Sequence, residues 1–121
     1  MRDEKSETYA IYSNDILVGG VWLKIDYTTH HNSGELLYIY PEQHSKGLGL
    51  SVWQAIERKY PETKVWQLIT PYFEKRNIHF YVNKCGFKIV EFFNKYHRDE
   101  NRHSLAYDFH DEYFLFEKVM L

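Results

Sequence analysis

The stretch Pro41-Glu42-Gln43-His44-Ser45-Lys46-Gly47-Leu48-Gly49 decides the fold of this chain, because it joins an apolar segment to a helical pattern. Residues 36–40 before it are typical of a strand, and the apolar spacing after it predicts a helix. The first N–H groups of a helix lack partners inside the helix and carry partial positive charge. Gly47 and Gly49 permit close approach of a ligand because neither has a Cβ atom. This order of elements predicts a site for an anion such as a phosphate group.

The composition is that of one compact domain, residues 1–121. Hydrophobic residues make up 44% of the chain and aromatic residues 18%, which is enough for a core. The formal net charge of -2 provides no basic field for nucleic acid. A single cysteine, Cys85, excludes an internal disulfide. No apolar run approaches the roughly 20 residues of a membrane span, and the N-terminus has no signal-peptide core. We therefore predict a cytoplasmic protein that binds neither nucleic acid nor membrane.

Strand and helix patterns alternate on both sides of the opening stretch. Pro41 ends the apolar segment before it, and Pro61 and Gly86 end the two helical patterns. The predicted strands are 8–13, 16–26, 35–40, 64–70, 87–96 and 112–120; the predicted helices are 45–59 and 74–84; the predicted loops include 27–34 and 97–111. The order β-β-β-α-β-α-β-β predicts an α/β fold with a mixed sheet covered by helices.

Three motifs resemble those of the GNAT superfamily of N-acetyltransferases, and together they span residues 11 to about 90. The segment His44–Gly49 resembles the acetyl-CoA signature of the family, in which Arg or Gln usually stands at the position of His44. The segment Trp66–Pro71 resembles the fifth strand of one bacterial branch of the family. The segment Asn77–Tyr81, followed by Cys85-Gly86-Phe87, resembles the helix ending of the family. The resemblance implies a GNAT-like, mostly antiparallel sheet.

The activity implied by the resemblance is direct transfer of an acetyl group from acetyl-CoA to the amine of an unidentified acceptor. Backbone amides of the glycine turn would hold the pyrophosphate of coenzyme A, and the strand before it would bind the pantetheine arm. The sheet would open between the third and fourth strands, where the thioester would lie. The residues implied in cofactor binding are Tyr38, Ile39, Tyr40, His44, Ser45, Lys46, Gly47, Leu48, Gly49 and Asn77.

Two catalytic roles follow from the same resemblance. Tyr81 stands where the family places a tyrosine that protonates the leaving thiolate, and a positioned phenol can supply that proton. Glu35 is the first candidate for the base that deprotonates the acceptor amine, with Asp108 and His110 as alternatives. No histidine or cysteine has a specific metal-ligand spacing, so no metal is expected.

Several departures from the family pattern leave alternatives open. Glu74 stands where many members have an asparagine that faces the cofactor, and a carboxylate there would repel a phosphate group. One more residue than usual separates Tyr81 from Gly86, so that counting back from Gly86 leads to Val82. Tyr81 can also be a core aromatic. The alternative function is a degenerate GNAT-like domain that binds coenzyme A or a protein partner without catalysis.

The front of the chain lacks the first strand and two helices that the family normally has. The sequence is consistent with a truncated fragment or with a minimal member of the family. The edge of the first predicted strand, 8–13, would then be open, and open edges pair with other chains. We expect a homodimer that covers this edge.

Overall fold

The computed structural model describes residues 4–44, 47–71, 74–94, 96 and 112–120 of the 121-residue chain. The described strands are β1 (Glu4–Ser13), β2 (Ile16–Asp26), β3 (His31–Ile39), β4 (Val65–Pro71), β5 (Lys88–Phe93) and β6 (Tyr113–Val119). The helices are α1 (Leu48–Lys59) and α2 (Lys75–His79), and α2 continues as a π-helical turn over Phe80–Lys84. A short 3₁₀ turn, Pro41–Gln43, follows β3. This order confirms the predicted β-β-β-α-β-α-β-β arrangement.

The strands form one mixed sheet in the order β1-β2-β3-β4-β6-β5. Every neighbouring pair is antiparallel except β3 and β4, which are parallel. A parallel pair needs a long crossover, and here α1 supplies it. The prediction of a mostly antiparallel sheet is therefore confirmed, and its one parallel pair lies at the centre.

The sheet opens between β3 and β4, as the resemblance implied. The two strands pair only over a short segment, in which His31–Gly34 of β3 lie opposite Val65–Leu68 of β4. Directly afterwards β3 has a bulge, because Gly34 pairs with Leu23 and Leu36 pairs with Trp22, which leaves Glu35 as the extra residue. A bulge bends its strand and interrupts the ladder. Glu35 thus marks the point at which β3 turns away from β4.

The core fills the face of the sheet that the helices cover. In β4, Trp66, Leu68 and Thr70 are buried, which is the alternation expected of a strand with one covered face. From α1, the Trp53 ring packs against Trp66 and Phe87 with centroid distances of 5.1 Å and 5.3 Å. These rings pack α1 against the centre of the sheet and against Phe87, which follows the π-helical turn. Trp53 also lines the cavity at the sheet opening, so the core and the opening share this residue.

Several predicted boundaries differ from the structure. β1 begins at Glu4 and not at residue 8, and β5 ends at Phe93 and not at residue 96. Two further boundaries are wrong for identifiable physical reasons. The segment 27–34 was predicted to be a loop because it is polar, but β3 begins at His31. Its polar Asn32 is buried and satisfied, since it accepts from the Asp26 N–H and donates to Thr63 Oγ1. The helix predicted at 45–59 begins at Leu48, because Gly47 has a φ of 72°, outside the helical region. The predicted loop 97–111 lies outside the described residues.

No helix in the described part of the chain is both long enough and apolar enough to cross a bilayer.

Cys85 provides a pH-dependent test of the packing. Its side chain is buried, and this burial raises the pKa of the thiol to about 12, although the nearby Lys118 lowers it. We expect a thiol reagent at pH 8 to modify Cys85 only after the protein is unfolded in denaturant. Rapid modification of the folded protein would contradict this packing.

The same burial makes the free energy of unfolding depend on pH. The folded thiol keeps its proton up to about pH 12, whereas an unfolded thiol loses it near the ordinary value of 9.0. Unfolding therefore releases a proton in this window, and stability falls as the pH rises from about 9 to 12 by up to about 1.4 kcal/mol per pH unit. Denaturation of the wild type and of Cys85→Ala at several pH values in this window gives the free energy of unfolding as a function of pH. The difference between the two slopes is the contribution of the thiol.

Candidate active site

The glycine turn leads directly into the N-terminus of α1. Gly47 is the N-cap residue with a left-handed backbone, and no described side chain caps the helix. A Cβ atom at Gly47 would meet nothing within 4 Å, so the residue is required for its backbone conformation and not for space. At Gly49 the reverse holds, because a Cβ atom would lie 3.1 Å from Phe80 Cζ. The start of α1, whose first N–H groups have no partner inside the helix, thus lies beside the π-helical turn.

A first cavity, the helix-start cavity, lies against this turn and has a volume of about 320 Å³. Two cations, Arg76 and Lys84, line it together with His44, and the described lining contains no carboxylate. Neither cation forms an ion pair with a described residue. The cavity therefore combines helix N–H groups with uncompensated positive charge. Sequence analysis missed Arg76 and Lys84, although their spacing of eight residues, about two turns of the predicted helix 74–84, was a usable signal.

A second cavity, the strand-gap cavity, lies where β3 and β4 separate and has a volume of about 460 Å³. Its described lining includes two carboxylate residues, Glu35 and Glu74, and no lysine, arginine or histidine. The remaining wall is mostly apolar and comprises Val21, Leu23, Leu36, Leu37, Trp53, Leu68 and Ile69. The two cavities therefore have opposite charge.

The two cavities meet at Leu37, Asn77 and Tyr81, which line both of them. The backbone of β3 faces this junction at alternate residues. The Tyr40 N–H donates to the Val18 carbonyl in β2 at 2.8 Å, so the N–H and C=O groups of Leu37 and Ile39 point away from β2. Since β4 no longer pairs there, the Leu37 amide is directed into the opening.

The π-helical turn explains why Tyr81, and not Val82, is at the junction. The Cys85 N–H donates to the Phe80 carbonyl at 3.1 Å, a bond that spans five residues in place of four. Such a turn accommodates one extra residue inside a helix. The additional residue between Tyr81 and Gly86 is absorbed in this way, and Val82 lines neither cavity. Tyr81 also contacts Phe87 and Phe116 with its ring, so it is both a core aromatic and a cavity residue.

The two carboxylates of the strand-gap cavity differ in their surroundings. The Glu35 side chain is 3% exposed, and its Oε1 lies 3.2 Å from the Lys24 ammonium. Lys24 follows the buried Leu23, so it belongs to the sheet face opposite the helices. Glu74 precedes α2, is exposed, and forms no hydrogen bond or ion pair through its side chain with another described residue. It lines the strand-gap cavity and not the helix-start cavity, which Arg76 and Lys84 line.

The structure brings most of the predicted site residues together. Ile39, His44, Gly47, Leu48 and Gly49 line the helix-start cavity, and Asn77 and Tyr81 line both. His44 Nε2 lies 2.7 Å from the Ile39 carbonyl oxygen, so this nitrogen donates and fastens the turn to β3. Tyr38 and Glu35 line the strand-gap cavity, whereas Tyr40 lines neither. Ser45, Lys46, Asp108 and His110 lie outside the described residues. Within the described ranges, no group of three or more His, Cys, Asp or Glu side chains is arranged to hold a metal ion.

Comparison with known sequences gives a consistent result. The sequence model of the acetyltransferase (GNAT) family matches residues 1–87. The uncharacterized protein YrkN of Bacillus subtilis (strain 168) is 49% identical over 120 residues, covering 93% of this chain and 64% of YrkN. The chain thus spans somewhat less than two thirds of that relative.

Solved structures share the fold at low sequence identity. A Bacillus subtilis acetyltransferase in complex with CoA matches with a TM-score of 0.74 and 17% identity, over 96% of this chain and 78% of that chain. The PaiA N-acetyltransferase of Thermoplasma acidophilum in complex with coenzyme A matches with a TM-score of 0.70 and 20% identity, over 95% of this chain and 61% of that chain. An Elizabethkingia anophelis GNAT family acetyltransferase with acetyl-CoA bound matches with a TM-score of 0.72 and 15% identity, over 95% of this chain and 76% of that chain.

Proposed function

Because this chain belongs to the GNAT acetyltransferase family, we propose that it transfers an acetyl group from acetyl-CoA directly to the amine of an acceptor. The observation that carries the proposal is the meeting of two oppositely charged cavities at Leu37, Asn77 and Tyr81. An anionic cofactor fits the helix-start cavity, and an amine that arrives as a cation fits the strand-gap cavity. Direct transfer requires the two substrates to meet, and the junction is where they would do so.

Coenzyme A would bind with its phosphates in the helix-start cavity. The N–H groups from Gly47 to Gly49, together with those predicted at Ser45 and Lys46, would hold the pyrophosphate at the start of α1. Arg76 and Lys84 supply positive charge on the facing wall. His44 replaces the usual Arg or Gln of the family, and its bond to Ile39 gives it a positioning role. Glu74 lines the other cavity, so its carboxylate would not face the phosphates in the helix-start cavity.

The pantetheine arm would follow β3 into the opening. Of the predicted segment Tyr38–Tyr40, the Tyr40 N–H is already bonded to Val18 and the Ile39 carbonyl to His44. We therefore place the backbone contacts of the arm on the Leu37 amide and carbonyl and on the Ile39 N–H. The thioester would then lie beside Leu37 and Tyr81.

The transfer step uses groups at the junction. The Leu37 N–H would donate to the thioester oxygen as negative charge develops there. The amine nitrogen forms a bond to the carbonyl carbon, the carbon–sulfur bond breaks, and the Tyr81 phenol protonates the departing sulfur. On the acceptor side, Glu35 and Glu74 are the described carboxylates that line the cavity and could deprotonate the amine, while Asp108 and His110 lie outside the described residues.

A non-catalytic domain that only binds coenzyme A is the alternative. The observation that favours it is the ion pair of Glu35 with Lys24, because the carboxylate first expected to act as base is engaged by a cation. Cofactor binding alone does not separate these two functions, so the cofactor and the chemistry are tested separately.

Acetyl-CoA should stabilise the folded protein. At 100 times its dissociation constant the gain is about 2.7 kcal/mol. Replacing Arg76 and Lys84 together with glutamine should weaken binding by about 100-fold or more, because each hydrogen bond to a charged group contributes about 1.5–3 kcal/mol. Thermal denaturation with and without acetyl-CoA measures both effects.

Lys75→Gln is the matched control for the cationic wall. Lys75 is exposed and adjacent to Arg76, but it does not line the helix-start cavity. Its replacement should leave the acetyl-CoA shift unchanged. The absence of any shift in the wild type with acetyl-CoA, coenzyme A or longer acyl-CoAs would exclude the cofactor assignment.

Tyr81→Phe should separate binding from chemistry. Loss of the phenolic proton should lower kcat by about 10²- to 10⁴-fold and leave the acetyl-CoA shift intact. Tyr40→Phe is the control, since Tyr40 lines neither cavity. Release of free coenzyme A during acetylation of a panel of amines gives the rate. An unchanged rate in Tyr81→Phe would remove this residue from the mechanism.

The open edge of β1 supports a homodimer as a further part of the proposal. Among the described strands β1 pairs only with β2. Its outer backbone groups can therefore pair with the same strand of a second copy. Light scattering should give about twice the chain mass of 14.7 kDa. A monomer mass at high protein concentration would contradict the dimer.

A further inference from the structure

We propose that Glu74, and not Glu35, binds the ammonium group of the acceptor and removes its proton, and that the acceptor is a primary monoamine with an apolar body. This inference depends on the proposed function, because it assigns the acceptor side of the same site. It arises from the charges of the strand-gap cavity, the different surroundings of its two carboxylates, and the composition of the cavity wall.

The strand-gap cavity favours a cation. Glu35 and Glu74 are the charged residues of its described lining, and no described lysine, arginine or histidine lines it. The ammonium form of an amine is attracted to such a cavity, whereas the phosphates of coenzyme A are attracted to the helix-start cavity. This separation orients the two substrates before any bond changes.

Glu35 is poorly placed to receive that ammonium. Its side chain is almost completely buried, and the Lys24 ammonium lies 3.2 Å from its Oε1. A second ammonium brought to the same carboxylate would be repelled by Lys24 at short range. Glu35 instead has a structural position, at the β3 bulge where the opening begins.

Glu74 has the properties that Glu35 lacks. Its side chain is exposed and forms no hydrogen bond or ion pair with another described residue. It precedes Asn77 by three residues and Tyr81 by seven, so all three follow one face of the helical segment and all line the strand-gap cavity. The Cα atoms of Glu74 and Tyr81 are separated by about 10 Å along the helix. Because side chains on a helix point back towards its N-terminus, the phenol shortens this distance.

Among the described residues, Glu74 faces only a few titratable or charged groups. Its own segment contributes Tyr81, the adjacent Lys75 and, on the helix-start side, Arg76; β3 contributes Glu35 and Tyr38, with Lys24 behind Glu35. The described cavity residues from β4 and α1, among them Thr70 and Trp53, do not titrate. A change at Glu74 should therefore appear directly in the pH dependence of the rate.

The proton balance of the step is complete. The ammonium transfers one proton to the Glu74 carboxylate, and the freed lone pair forms the C–N bond as the C–S bond breaks. Tyr81 supplies a proton to the sulfur, and the second proton from nitrogen restores the phenol through solvent. Glu74 then releases its proton to water, so the sum is one amide, one free coenzyme A thiol and one proton.

The wall of the cavity indicates what the amine carries. The apolar residues are Val21 and Leu23 from β2, Trp53 from α1, and Leu68 and Ile69 from β4. Since Glu35 is engaged by Lys24, only Glu74 is available to a cationic group. One ammonium group on an apolar body matches this arrangement, because a second cation would be buried without a partner.

The decisive experiment compares Glu74→Gln, Glu74→Asp, Glu35→Gln and wild type, with 2-phenylethylamine and putrescine as acceptors. At pH 7, Glu74→Gln should lower kcat/KM for 2-phenylethylamine by about 100-fold or more, and Glu74→Asp should retain a larger part of the rate. The difference in kcat/KM between Glu74→Gln and wild type should become smaller as the pH approaches the pKa of the amine, about 10 as for lysine, because the amine then loses its proton without a base. Wild type should prefer 2-phenylethylamine to putrescine.

Controls separate this inference from the proposed function. Glu62→Gln, an exposed carboxylate outside both cavities, should leave the rate and its pH profile unchanged. The acetyl-CoA shift should persist in all variants. An unchanged profile in Glu74→Gln, or a preference for putrescine, would overturn the inference while the acetyl-CoA shift still supports the cofactor. A shift without turnover of 2-phenylethylamine would also overturn it, and loss of the shift in wild type would remove the proposed function as well.

Discussion

The site depends on the end of pairing between β3 and β4. Their parallel ladder stops at Gly34 and Leu68, and the bulge at Glu35 turns β3 away directly afterwards. A continuous ladder would satisfy every backbone group between the strands and leave no space for a ligand. The opening instead directs the Leu37 amide into a cavity while the buried rings of α1 and β4 hold the strands on either side.

The helical segment from Lys75 to Lys84 divides this opening into two electrostatic environments. Arg76 and Lys84 face one cavity, and Glu74 faces the other. The π-helical turn at Phe80–Lys84 places Tyr81 between them. Because opposite charges lie on two sides of one helical segment, an anionic ligand and a cationic ligand are favoured in different cavities of the same sheet.

Much of the architecture follows from local patterns. Pro41, Pro61 and Gly86 end elements by backbone chemistry, and the alternation of Trp66, Leu68 and Thr70 places β4 on the core. The start of β3 at His31 was predicted to be a loop because the segment is polar. It forms a strand because it pairs with β4, and its polar Asn32 is hydrogen-bonded inside the protein. The start of α1 was placed too early because residue types do not reveal the left-handed backbone of Gly47.

The sequence by itself determined the element order, the glycine turn before α1 and the placement of an aromatic phenol near the end of the second helix. These depend on neighbouring residues, whose spacing and backbone preferences are visible in the chain. Only the tertiary structure decided which side chains share a cavity. Glu35 is bound to Lys24 from the adjacent strand, Glu74 and Arg76 line different cavities, and one extra residue is absorbed by a π-helical turn. These relations arise because strands and helices distant in sequence pack together, and packing sets charge and exposure.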